Sequence, residues 1–233
     1  MTYFLIFALA GITTLFTSCL KNNYDNNTTV PDVAALSFVN TSPNSRAINF
    51  SLDDKKVNAT SISYLQGVPY ITVYTGNRKV QVRDNANSTV LATKTFNLAK
   101  NTYYSLFAVG TGIGADSVNF VLAKDSLARP ASGKVRIRFA HFSPGTPALD
   151  LAVDGQPSMF TAKAYKSVSD FIEINALSSV KLVIKSQGGA VLASLPNVKL
   201  VDGNSYTIYA KGYAAASNDD QKVGIQLINI TGL

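Results

Sequence analysis

Three residues in the middle of the chain are of the types that form a hydrolytic triad. His141 is the only histidine in the chain, and Ser143 and Asp150 follow it closely. In a triad the carboxylate orients the imidazole, which takes the serine proton, so all three side chains must lie within hydrogen-bonding distance. Here His141 shares the strand phase of Ile137 and Phe139, whereas Asp150 is out of phase with its apolar neighbours. We therefore expect opposite faces and no catalytic residue.

A repeat of the same segment also argues against catalysis. Residues 38–54 recur without a gap as residues 139–155, and the first copy has asparagine at the positions of both His141 and Asp150. Asparagine donates and accepts hydrogen bonds but does not transfer protons, so roles shared by both copies are structural. The residues assigned to this structural motif are Ser42, Pro43, Asp53, His141, Ser143, Pro144, Asp150 and Asp154.

The repeat continues to the end of the chain. Phe38 and Phe139 are 101 residues apart, and the step becomes 102 at Tyr104 and Tyr206. A repeat of this length is a whole domain, since solenoid units have periods of about 20 to 50 residues. The sequence thus predicts a first β-sandwich at 34–127, a linker at 128–133 and a second β-sandwich at 134–233. The linker is short, so the domains are expected to touch.

An uncharged apolar leader precedes the repeat. Residues 1–18 are too short for a comfortable membrane span and are typical of a signal peptide. They are followed directly by Cys19, the only cysteine in the chain. This arrangement resembles the lipobox of bacterial lipoproteins, although Phe16 stands where leucine is expected. The resemblance implies that Cys19 is lipidated and that residues 19–33, which are polar and rich in turn formers, are a flexible tether.

The residues after the cysteine bear on localisation. Leu20 stands where the best-known sorting system has an aspartate that retains lipoproteins in the inner membrane. We therefore expect an exported outer-membrane lipoprotein that contacts the membrane through its lipid anchor. Residues 21–25 match a surface-display signal only loosely, so the periplasmic and cell-surface faces both remain open.

Composition limits the classes of partner. Charged residues are 15% of the chain and hydrophobic ones 46%, with a net charge of +7. The positive charge is spread over both copies without a basic run, so it is typical of solubility or weak attraction to anionic surfaces. We expect no nucleic-acid binding, no cofactor and a monomer.

Alternating apolar residues predict the fold class. Residues 135–141 and 149–154 alternate between apolar and polar, and turn residues separate them. About seven such strands per copy, with any helix confined to a turn near 58–64 and 162–168, indicate an all-β protein of two tandem antiparallel Ig-like or transthyretin-like sandwiches. Tyr104 and Tyr206 each enter a late strand at the spacing of a tyrosine corner.

The second copy resembles a known family. Residues 138–155 carry a strand ending in His141, a Ser-Pro turn, a proline three residues later and an Asp-x-x-x-Asp-Gly sequence. This string resembles the domain of unknown function 4397, which occurs in exported bacterial proteins, frequently lipoproteins of Bacteroides-like bacteria. The resemblance implies β-sandwich domains and export, and it leaves the function open. The first copy departs from the pattern at Asn40, Arg46, Asn49 and Asp54.

Metal and phosphate chemistry have little support in the sequence. One histidine and one cysteine do not supply the four nitrogen or sulfur ligands of a structural zinc site. The run 218–220, Asn-Asp-Asp, has oxygen ligands that suit calcium, and a solvated hairpin tip is the favoured interpretation. The glycine-rich segment 110–114 follows a strand, but another strand comes after it and leaves no helix N-terminus for phosphate. We expect no metal site.

Two classes of function remain. The first is a non-catalytic envelope protein that binds glycan or protein, or acts as a spacer. The alternative is an envelope hydrolase or carbohydrate-active enzyme with a shallow site in the second domain. Such enzymes usually need two carboxylates, and Glu173, beside Asp170, is the only glutamate. The candidate ligand-binding aromatic residues are Tyr64, Tyr70, Tyr74, Tyr165 and Phe171.

Overall fold

Alternating apolar residues and frequent turns give this chain short strands and very little helix. The computed structural model describes residues 31–44, 46–111 and 117–230. The predicted signal peptide, Cys19, nearly all of the tether and most of the loop 110–114 lie outside the described residues. Within them, no helix has the length and apolarity needed to cross a membrane. Residues from Asp32 onward form one compact unit.

The first domain has eight strands in two four-stranded sheets. The strands are β1 (Val33–Asn40), β2 (Ile48–Leu52), β3 (Lys55–Lys56), β4 (Gly67–Tyr74), β5 (Gly76–Asp84), β6 (Val90–Leu98), β7 (Tyr103–Gly110) and β8 (Val118–Asp125). One sheet has the order β4-β1-β7-β8 and the other β3-β2-β5-β6. We refer to the first as the β1 sheet.

The second domain repeats this topology strand for strand. Its strands are β9 (Lys134–His141), β10 (Leu149–Val153), β11 (Ser158–Lys163), β12 (Ile172–Asn175), β13 (Leu177–Ser186), β14 (Val191–Leu200), β15 (Ser205–Lys211) and β16 (Gly224–Asn229). The β9 sheet has the order β12-β9-β15-β16, and the other sheet the order β11-β10-β13-β14. The tandem all-β sandwich architecture is therefore confirmed.

Two local features differ from the sequence expectation. No α-helix forms near 58–64 or 162–168, and the helical residues in the described part of the chain are a single 3₁₀ turn, Asp219–Gln221. Each domain also contains one parallel pair, β1 with β7 and β9 with β15, among antiparallel neighbours. Alternation sets the two faces of a strand but not the direction of its neighbour, so the parallel pairs were not predicted.

Each domain has its own hydrophobic core between its two sheets. Phe38 and Phe139 are fully buried in the two separate cores. Phe38 packs on Phe50 with ring centroids 4.7 Å apart, and Phe139 packs on Phe160 at 6.2 Å. The two equivalent phenylalanines thus lie in two separate cores.

A third cluster joins the two domains. The outer face of the β1 sheet packs against the outer face of the β9 sheet, and Phe107 lies 4.7 Å from Phe142 between ring centroids. We call this the interdomain cluster; its buried members are Val39, Phe107, Val109, Ala123, Ala140, Phe142 and Tyr209. Strands β7 and β15 are consequently buried on both faces. The two sandwiches are stacked through equivalent sheets.

Candidate functional site

His141 is held in a neutral, fully bonded state. Its Nδ1 accepts a hydrogen bond from the backbone N–H of Ser143 at 3.2 Å. The proton therefore lies on Nε2, which is 3.0 Å from the carbonyl of Pro147. Burial lowers the pKa of the imidazole, and the hydrogen bond to Pro147 opposes this only in part. The Ser143 hydroxyl is buried and has no hydrogen-bond partner among the described residues, so it does not bond to His141. The hydrogen bonds of the His141 ring instead hold the Ser-Pro turn.

Asn40 reproduces this arrangement in the first domain. Its Oδ1 accepts from the backbone N–H of Ser42 at 3.1 Å, as Nδ1 of His141 does from Ser143. Its Nδ2 donates to the carbonyl of Ile62 at 3.2 Å. The two side chains thus perform the same structural task at the start of the Ser-Pro turn. The Ser42 hydroxyl also donates to the carbonyl of Gly110.

The carboxylates of the repeated motif serve neighbouring backbone and lysine groups. Asp150 accepts from the N–H of Ala162 at 2.7 Å, and this alanine has a positive φ of 50°. Asp53 accepts from the N–H of Lys79 at 3.0 Å, and Asp154 contacts Lys181 Nζ at 2.6 Å. These contacts hold turns and strand ends together.

The two tyrosine hydroxyls bind the backbone just upstream of their strands. Tyr104 accepts from the N–H of Ala99 at 3.2 Å, and Tyr206 accepts from the N–H of Val201 at 3.1 Å. Both rings are nearly buried in their domain cores. This is the geometry of a tyrosine corner in both copies.

A buried ion pair links the two domains beside the interdomain cluster. Arg138 Nη2 binds Asp125 Oδ1, and the two side chains are 2% and 0% exposed. The guanidinium also donates to the carbonyl of Lys124 at 2.9 Å and to the hydroxyl of Thr207 at 2.8 Å. Alternation placed Arg138 on the outer face of its strand, and the second domain buries that face against the first.

Asp125 has two further donors from its own domain. The hydroxyls of Ser105 and Tyr70 both lie 2.7 Å from its Oδ2. Burial, followed by the negative charge of Asp125, raises the pKa of Tyr70, so its hydroxyl stays protonated and donates. With Arg138, these groups satisfy the carboxylate. We call Asp125, Arg138, Ser105 and Tyr70 the interdomain polar network.

Four of the five candidate aromatic residues lie in contacts within the protein. Tyr70 belongs to the interdomain polar network, and Phe171 stacks on Arg138 with 4.7 Å between the guanidinium carbon and the ring centroid. Tyr165 packs edge-on against His141 at 5.8 Å, and burial raises the pKa of Tyr64 to about 12. Tyr74 differs, because it is 59% exposed.

Among the described residues, no other element covers one end of the outer face of the β1 sheet. Along the strands it changes from the interdomain cluster, through the interdomain polar network, to a shallow depression of about 150 Å³. The depression is lined by Val33, Ala34, Ala35, Thr72, Asn101, Thr102 and Tyr103. Tyr74 pairs with Val33 at its edge, and Tyr103 is 41% exposed. We call this site the tyrosine depression.

The corresponding strand positions in the second domain carry charged side chains. Arg136 stands where the first domain has Ala35, and its guanidinium binds Glu173 at 2.9 Å. The same guanidinium donates to the Ser126 hydroxyl at 3.1 Å and to the Ala128 carbonyl at 2.9 Å, so the linker lies against it. The tyrosine depression is therefore a property of the first domain.

The oxygen-rich run 218–220 is engaged in its own turn. Asn218 Oδ1 accepts from the N–H of Asp220 at 2.9 Å, and Asp219 contacts Lys222 Nζ at 2.7 Å. Among the described residues, no group of three or more histidine, cysteine, aspartate or glutamate side chains is placed to hold a metal ion.

Sequence reasoning missed Tyr103 and the partners of Arg138. A signal for Tyr103 was present in the sequence. Its neighbour Tyr104 points into the core at the tyrosine corner, and adjacent residues of a strand point to opposite faces, so Tyr103 points outward. Asp125 carried no such signal, since its pairing with Arg138 depends on how the two domains pack.

The fold and the site together define a tandem β-sandwich protein whose repeated polar motif forms turn hydrogen bonds and whose first domain carries the tyrosine depression. The chain belongs to the family described as "Domain of unknown function (DUF4397)", which matches residues 34–152, just over half of its length. The matched segment covers the whole first domain and continues into β10.

Comparisons with other proteins give distant likenesses. One solved structure is the carbohydrate-binding module CBMbc, of family CBM26, from Eubacterium rectale Amy13K, in complex with maltoheptaose. It is 10% identical, with a TM-score of 0.25 and coverage of 82% of this chain and 100% of that one. Another is a fimbrial assembly protein from Parabacteroides distasonis, 15% identical, with a TM-score of 0.25 and coverage of 86% and 96%. No curated protein matches the chain.

Proposed function

We propose that this protein is a non-catalytic, lipid-anchored module of the bacterial cell envelope that binds a ligand through its first domain. In this proposal the signal peptide directs export, Cys19 carries the lipid and the following residues form a tether to the outer membrane. The two sandwiches then form one rigid head that presents the tyrosine depression to a glycan or protein.

One observation carries the non-catalytic part of the proposal. Both ring nitrogens of His141 are engaged in the Ser-Pro turn. In the first domain Asn40 accepts the equivalent bond from the Ser42 N–H and donates to a different carbonyl, that of Ile62. A general base needs a free lone pair directed at a proton to be removed. The lone pair of His141 instead accepts from the Ser143 backbone.

The packing of the two domains against each other supports a binding or presenting role. Domains joined only by a flexible linker move relative to each other by default. Here an apolar cluster and the ion pair between Asp125 and Arg138 hold the sandwiches together. A fixed head on a flexible tether suits a protein that offers one surface to a partner.

No observation favours the alternative of an envelope hydrolase or carbohydrate-active enzyme. Glu173 is bound to Arg136 on the surface of the second domain, and no pair of free carboxylates faces a depression there among the described residues. A direct test is a hydrolase screen of the purified protein on esters, peptides and glycosides. Turnover that disappears in His141→Asn, at unchanged melting temperature, would overturn the proposal.

The lipid anchor is tested separately in cells. We expect the protein to incorporate labelled palmitate and to partition into detergent, and we expect Cys19→Ala to lose both properties. Ser18→Ala is the matched control, since it changes the adjacent residue and leaves the thiol. Equal labelling of Cys19→Ala would refute the anchor. If only the protein with Cys19 is labelled, protease shaving of whole cells distinguishes the cell-surface face from the periplasmic face.

A further inference from the structure

We infer that the tyrosine depression binds a neutral saccharide, with Tyr103 as the residue that stacks on the sugar ring. This inference rests on the proposed binding function and adds its ligand class and its site.

The lining favours an uncharged ligand with both apolar and hydroxyl groups. No charged side chain lines the depression, although the protein as a whole carries a net charge of +7. Val33 and Ala35 form an apolar floor, and Thr72 and Asn101 supply a hydroxyl and an amide at its sides. A neutral sugar presents C–H groups on the face of its ring and hydroxyls at its edge, which matches both parts.

Tyr103 is the exposed aromatic side chain of the lining. Tyr74 lies at the edge of the depression, where the Arg78 guanidinium carbon is 5.9 Å from its ring centroid. On the sheet, Ala35 pairs with Tyr103 on one side and with Thr72 on the other. The small alanine side chain therefore lies between two larger side chains. Aromatic rings with a polar tip bury apolar area while leaving the hydroxyl in water. The volume of about 150 Å³ is below the range of about 300–1,000 Å³ found for drug-sized ligands, so it suits one ring of a longer chain.

The same position in the second domain shows what prevents such binding. There the residues that correspond to Val33, Ala35, Thr72, Tyr74 and Tyr103 are Lys134, Arg136, Glu173, Asn175 and Ser205. Lys134 binds Asn175 at 2.7 Å, and Arg136 binds Glu173 and the linker. Asn175 and Ser205 thus stand in place of the two tyrosines, and charged side chains with the linker against Arg136 stand in place of the small and apolar residues. The open, neutral site is confined to the first domain.

The ring of Tyr103 is supported from behind by the interdomain polar network. Tyr70 packs against it edge-on, with ring centroids 5.3 Å apart, and the Tyr70 hydroxyl is fixed by Asp125. Asp125 is in turn held by Arg138 from the second domain. Preorganised aromatic surfaces lose less entropy on binding. Tyr70 is therefore a positioning residue, and the stacked domains stabilise a site that lies on one of them.

The test uses the full chain purified in detergent. Isothermal titration calorimetry measures binding of neutral hexasaccharides of glucose and of mannose, with hexagalacturonate as the acidic comparison. We expect a neutral probe to bind and Tyr103→Ala to weaken it about tenfold, the loss of one aromatic stack. Asn175→Ala, the control at the position corresponding to Tyr74, should bind like the wild type.

Variants of Tyr70 provide a second test, because this residue supports Tyr103 and does not contact the sugar in the proposed site. Tyr70→Ala removes the edge-on support and should weaken binding about threefold, whereas Tyr70→Phe keeps the ring and should restore most of the affinity. Circular dichroism confirms the fold of each variant.

Three results would overturn the inference: no binding of either neutral probe, tighter binding of hexagalacturonate, or unchanged affinity in Tyr103→Ala. In each case the proposed function is judged independently, by palmitate labelling and by the hydrolase screen.

Discussion

Breaking the ion pair between the domains should destabilise the whole protein. Asp125→Asn is nearly isosteric and removes the negative charge while leaving the Arg138 guanidinium buried. Both side chains are at most 2% exposed, so water cannot replace the lost partner. Leaving one member of a buried pair uncompensated costs about 3–5 kcal/mol. The new amide also places an N–H donor beside hydroxyl donors from Ser105 and Tyr70, which keeps the expected loss in the upper part of that range.

The assay is urea denaturation followed by far-ultraviolet circular dichroism at 25 °C. The matched control is Asp54→Asn, because Asp54 pairs with Lys79 at 2.6 Å on the surface, with side chains 63% and 41% exposed. An exposed pair contributes about 0–1 kcal/mol, so this variant should unfold close to the wild type. An Asp125→Asn cost no larger than that of the control would refute the reasoning.

The double variant Asp125→Leu with Arg138→Leu, compared with each single leucine variant, completes a double-mutant cycle. A buried ion pair replaced by apolar side chains is often neutral or stabilising, so we expect it to recover most of the stability lost in Asp125→Asn. A double variant that loses as much as the sum of the two single variants would show that the pair does not interact energetically.

Three further expectations concern the repeated motif and the interdomain cluster. His141→Asn should cost about 1 kcal/mol, as one altered neutral hydrogen bond does, and His141→Ala should cost about 2–3 kcal/mol because the Ser143 N–H is left unsatisfied; thermal melts of both compare them. Because burial lowers the pKa of His141 below its unfolded value of about 6.5, its contribution to stability is complete above pH 6.5. That contribution is lost as the pH falls through the folded pKa, and a pH series of unfolding curves should show the loss in the wild type but not in His141→Asn. Phe107→Ala should lower the free energy of unfolding by about 3–5 kcal/mol, and calorimetry should then resolve two transitions. A single transition would show that Phe142 and its neighbours couple the domains without the Phe107 ring.

The sequence by itself determined the repeat, the alternating strands and the structural nature of the polar motif. These features depend on neighbours within a few residues or on comparison of the two copies. The histidine-to-asparagine exchange between His141 and Asn40 was interpretable because both side chains accept from a backbone N–H two residues away. Turn chemistry of that kind is local, so it can be predicted from residue types.

Only the tertiary structure decided what covers each outer face. Arg138, Tyr103 and Tyr70 all lie on the outer faces of their sheets, but this one position leads to three environments. Arg138 is buried against Asp125 of the other domain, Tyr70 is bonded inside the interdomain polar network, and Tyr103 remains open to solvent. The physical reason is that strand periodicity fixes the direction of a side chain, whereas its partner is set by long-range packing of one sheet on another.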